Sequence, residues 1–152
     1  MSILETIVAG VAGTVLMTLI MMVITHVGWA RADMIRALGS LITKSYERSL
    51  APGLLIHFLS GVIFAFPYVL VLGGIDLPSA GAVIGVGALV GFVHGFVMSF
   101  LLIAAVAEKH PLQQFQEASF GVAAAHVLGH VGYGVGVAAA AAAMAIDFGF
   151  RF

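Results

Sequence analysis

The chain has 152 residues, of which 62% are hydrophobic and 9% charged, and its formal net charge is -1. A water-soluble domain of this size needs far more surface charge, and a near-neutral chain offers no electrostatic footprint for nucleic acid. With no cysteine there is no disulfide framework, thiolate metal site or Cys-ligated cluster, which leaves His, Met, Glu and Asp as ligands.

Four segments are long and apolar enough to cross a bilayer, which takes roughly 20 residues; they lie near 3–28, 51–73, 80–107 and 118–146. The expected fold is therefore all-α, a single domain (1–152) forming a four-helix transmembrane bundle, with the order helix–helix read as two tandem hairpins. The first run precedes Ala30-Arg31-Ala32, which looks like a signal-peptidase site. No Lys or Arg stands before that run, and it is too long for a signal h-region, so it is read as a span.

The segment 29–50 is the one long polar stretch before the second span. It carries Arg31, Arg36, Lys44 and Arg48, and Met34, Ile35, Leu38 and Leu41 recur at helical spacing. That pattern predicts either a short amphipathic helix on the membrane surface or a plain solvated loop. In the second span Pro67 is expected to kink the helix and free a carbonyl near Ile63. The link 73–78 holds Gly73, Gly74 and Pro78 and no cation, whereas the link after the third span holds Lys109. Five of the six Lys and Arg thus fall in the first and third links. The positive-inside rule then places those links in the cytoplasm and both termini outside, in a bacterial inner membrane.

Glycine is abundant in the last two spans. Gly87, Gly91 and Gly95 stand in register on the third, with Gly81 and Gly85 nearby, and Gly132 and Gly136 follow on the fourth. Small residues four apart let helices approach closely in lipid. They serve either packing within the bundle or association with a second copy or a partner subunit; beside His94 and His130 they also suit room for a flat cofactor.

Five of the six histidines lie in apolar runs: His26, His57, His94, His126 and His130. Ionisable groups are costly in hydrocarbon and usually mark function. Rise per residue puts His57 about 9 Å and His126 about 12 Å from the end of their spans that joins the basic links. His130 lies about 18 Å and His94 about 20 Å from that same end. Two levels result, His94 with His130 and His57 with His126. His126 and His130, four apart, share a helix face, and His26 and His110 extend the column.

Three readings fit such a column. Imidazoles bind haem or transition metals in bundle cores: a bis-His haem b between His94 and His130, with His57 and His126 as a second pair, or a bare ion held by His94, His126 and His130 with His57 behind. Intramembrane histidines also relay protons or ions, although Glu5, Glu108 and Glu117 all fall near span ends. Each histidine can also hydrogen-bond a neighbouring helix and hold the bundle together. Met17, Met21, Met22 and Met98 are soft donors suited to copper, or packing residues. Tyr133, three residues after His130, could orient a ligand. No P-loop, nucleophile elbow, dinucleotide fingerprint or HExxH motif is present, and the residues leave open whether the chain is an enzyme.

With these residues in view the chain resembles a group of small bacterial four-span membrane proteins of unknown function. The resemblance rests on Thr14-Val15-Leu16-Met17-Thr18, on His94 after a glycine-rich stretch, on His110-Pro111, and on His130-Val131-Gly132-Tyr133-Gly134. It implies the topology and brings no mechanism.

Overall fold

The computed structural model describes residues 1–31, 33–101, 107–116 and 119–148. Among these residues there are five α-helices: α1 (Ile3–His26), α2 (Met34–Thr43), α3 (Leu50–Gly73), α4 (Ala80–Leu101) and α5 (Phe120–Phe148). Four of them, α1, α3, α4 and α5, are long and apolar enough to span a membrane. They match the four expected spans, except that 102–106 and 118 lie outside the described residues and Ala107 belongs to a short 3-10 turn, Ala107–Lys109.

Local chemistry sets the ends. Ser2 and Glu5 form a reciprocal capping box at α1: the Glu5 amide donates to Ser2 Oγ (3.2 Å) and the Ser2 amide to Glu5 Oε2 (2.7 Å). Beyond α1 the chain turns at Gly28, whose φ of 74° suits a residue without a Cβ. The amphipathic reading of 32–41 is met by α2, capped by Asp33, whose carboxylate accepts the Arg36 amide. A Tyr46 hydroxyl bond to the same carboxylate (3.0 Å) raises the phenol above its ordinary pKa, with burial and the Asp33 charge adding to it. Helix α3 runs through Pro67 as one continuous element.

The packing is that of a protein whose solvent is lipid. Large apolar side chains face outward, among them Leu55, Leu59, Ile63 and Leu70 on α3 and Leu89, Phe96 and Phe100 on α4. The interior is built from small and polar residues: α4 buries Val83, Gly87, Gly91, Gly95 and Ser99, one per turn. Between helices in a bilayer there is no hydrophobic drive, so close backbone approach supplies the attraction. A Cβ on Gly91 would meet the His130 carbonyl, and one on Gly134 the Gly87 carbonyl. On the other side of α5, Gly136 lies against Gly13 of α1.

Of the uses open to the glycines, packing within the bundle is the one these contacts show: Gly87, Gly91 and Gly95 serve the α4–α5 contact, Gly132 and Gly136 the α1–α5 contact. Two hairpin pairs, α1 with α3 and α4 with α5, are present. They join unequally, because α1 packs closely on α5 while α3 and α4 barely meet.

Helix α2 folds back on the start of α3. The two backbones touch where a Cβ on Gly39 would strike the Ser49 carbonyl and one on Gly53 the Ile35 carbonyl. From the other basic link, fully buried His110 reaches the same helix: its Nε2–H donates to the Ala37 carbonyl (3.1 Å), while Nδ1 accepts the Leu112 amide (3.1 Å). His110 was expected to extend the imidazole column; it ties the two links together instead, because its two ring nitrogens are both spent on backbone. His110→Ala is expected to loosen α2, at a cost of about 1–2 kcal/mol for the buried bonds. Faster hydrogen exchange across Met34–Thr43, with α3–α5 amides unchanged, is the result to look for.

Candidate functional site

The interior of the bundle carries three imidazoles in ring contact. Helix α4 supplies His94, and α5 supplies His126 and His130 one turn apart on a shared face. The His94 and His130 rings meet edge to face with centroids 4.5 Å apart; those of His126 and His130 are 4.6 Å apart. Gly91 and Gly95 allow this, since they bring α4 onto the His130 and Val127 backbone. His126 and His130 are 5% and 7% exposed, so neither ring has bulk water as a partner.

The hydrogen bonds fix part of the chemistry. His130 Nδ1 lies 2.9 Å from the His126 carbonyl, which can only accept, so the proton sits on Nδ1 and the neutral ring presents a bare Nε2. A ligating histidine is usually held in this way, its second nitrogen donating to a carbonyl. His94 Nδ1 is 3.0 Å from the Tyr68 hydroxyl. His94 Nε2 and His126 Nδ1 are buried and have no hydrogen-bond partner. Such orphans typically cost about 1–3 kcal/mol each. Among the described residues no three His, Asp or Glu side chains converge as a ready-made metal ligand set; the three rings touch one another rather than a common centre.

The other expected site residues fall elsewhere. His57 sits on α3 and its Nε2 pairs with Thr18 Oγ1 of α1 (3.1 Å), with no ring contact to the other three histidines. His26 is exposed at the end of α1. The Tyr133 hydroxyl donates to the Gly61 carbonyl of α3. The other buried tyrosine hydroxyl, Tyr68, pairs with His94, and the two tyrosine rings pack edge-on at 5.2 Å. Nothing in the 26-position separation of Tyr68 and His94 in sequence signals the pairing.

The geometry also bears on haem. Rings in contact at 4.5 Å leave no slot for a macrocycle between His94 and His130. The glycines flanking them meet the α5 backbone rather than open space. As placed, the His94–His130 pair therefore does not accommodate a bis-His haem.

A family described as being of unknown function, DUF6789, matches residues 1–147. No curated protein and no solved structure matches the chain significantly.

Proposed function

The chain belongs to the family of unknown function DUF6789, and from its own residues we propose that it is a membrane protein holding one transition-metal ion through His94, His126 and His130. The ion would serve metal handling or electron transfer, in this chain alone or as a subunit of a larger membrane complex. The observation that carries this reading is the pair of orphaned imidazole nitrogens, His94 Nε2 and His126 Nδ1, on two rings that both touch His130. Protein interiors rarely leave such atoms unmet; a metal would satisfy both at once. Tyr68 and the His126 carbonyl supply the outer bonds that hold ligating rings in place. His57, bonded to Thr18, stands behind the cluster.

Orientation follows from charge. Arg31, Arg36, Lys44, Arg48 and Lys109 lie in the two links that meet at one end of the bundle. That end faces the cytoplasm by the positive-inside rule, with both termini across a bacterial inner membrane.

Elemental analysis of protein purified in mild detergent tests the reading. The expected result is about one transition-metal ion per chain, lost when His94, His126 and His130 are all changed to Ala. A wild-type preparation that neither carries nor takes up metal, or a triple variant that binds as much metal as wild type, overturns the proposal.

A further inference from the structure

A second group of metal-suited side chains lies beside the histidine cluster. A cleft of about 370 Å³ opens between α1, α2 and α3, and Met17, Met21, Met22, Met34 and His57 line it. Met17, Met21 and Met34 are each more than nine-tenths buried within the chain, yet all three border this open space. Met17 and Met21 are one turn apart on α1 and share a face. The cleft also reaches His26 and Asp33 at the polar end of α1. At its inner side the Met21 sulfur lies against Gly129, the residue preceding His130, and Met17 Cε lies beside it.

We propose that this cleft is a loading site for monovalent copper, with Met17, Met21 and Met34 as thioether ligands and His57 as the nitrogen donor, and that it passes the ion to the three imidazoles. Thioether sulfur is a soft, uncharged donor that selects Cu(I) over Zn(II) and other hard or borderline ions. Thioether and imidazole both coordinate as uncharged ligands, and the one carboxylate at the cleft is Asp33 at its rim. The cost of holding an ion in an apolar medium rises with the square of its charge, so a site of neutral ligands at membrane depth favours a single positive charge. Finally, the cleft reaches the helix that carries two of the imidazoles: Met17, Met21, Met34 and His57 line it, and the Met21 sulfur lies against Gly129, next to His130 in sequence. No bond is formed or broken beyond ligand exchange, and no electron is moved.

The last step, delivery, rests on the imidazole centre proposed above; the cleft itself does not. The test is titration of the full chain in detergent with Cu(I), held against a chromophoric Cu(I) chelator, and in parallel with Zn(II). Wild-type protein is expected to take two Cu(I). The Met17→Leu/Met21→Leu/Met34→Leu variant, a near volume-conserving change, is expected to lose one of them, its affinity falling about tenfold or more. The His94/His126/His130 alanine variant is expected to keep that equivalent and lose the other. Zn(II) is expected to leave the cleft empty. A cleft equivalent that is absent in wild type, that survives the methionine changes in a variant with native circular dichroism, or that Zn(II) fills equally well overturns the inference. Loss of the imidazole equivalent alone speaks to the other site, so the two failures are told apart.

Discussion

Gly91→Leu and Gly134→Leu are each expected to prevent the native bundle from forming. At Gly91 the first added carbon already meets the His130 carbonyl, and at Gly134 it meets the Gly87 carbonyl. Both neighbours are backbone and cannot swing aside, so relief requires α4 and α5 to separate. Overpacking usually costs about 1–3 kcal/mol; a whole isobutyl group against two helix backbones belongs at or beyond the top of that range. The most extensive helix pairing among the described residues would be lost and the two helices that carry all three imidazoles would part. Gly85→Leu is the control, since a Cβ there meets nothing within 4 Å. It is expected to leave stability within about 0.5 kcal/mol of wild type. Denaturation in detergent, followed by circular dichroism, separates the two classes. Native stability for Gly91→Leu would mean that α4 and α5 do not pack through this seam.

His126→Leu is expected to separate stability from function. If the imidazole served only to hold the bundle, its removal would weaken the metal-free protein. Instead its Nδ1 is buried without a partner, and its only close ring neighbour among the aromatic contacts is His130. Leucine removes the orphan and keeps an apolar filler at a 5% exposed position. The metal-free variant is therefore expected to gain about 1–2 kcal/mol, while its metal affinity falls by tenfold or more, as roughly expected for loss of a ligand or its support. Sites kept for chemistry commonly carry such a stability cost. A less stable apo variant with undiminished metal binding would place His126 among the packing residues.

The parts of this arrangement that were legible in sequence depend on position along a helix. Depth arithmetic paired His94 with His130, and the four-residue spacing placed His126 and His130 on one face; both pairs are in ring contact. Helix length and polarity located the spans and α2. What could not be read is rotation about each helix axis. A span apolar on all sides carries no stripe to say which face turns inward. The same ambiguity hid the pairing of Tyr68 with His94 and of Thr18 with His57, and it left open which helix each glycine face meets. His110 was misplaced for a different reason. It lies in a link rather than a span, and its partners, the Ala37 carbonyl and the Leu112 amide, are backbone groups. Backbone atoms are identical at every position and leave no trace in composition.

The imidazole centre is tested most directly by X-ray absorption at the edge of whichever transition metal the wild-type protein binds. The account predicts nitrogen ligands at about 2.0–2.1 Å if the metal is zinc, with outer-shell imidazole scattering from two or three histidines, falling to at most one histidine in the His94/His126/His130 alanine variant. A bound metal whose spectrum lacks imidazole scattering, or keeps it undiminished in that variant, would contradict the account.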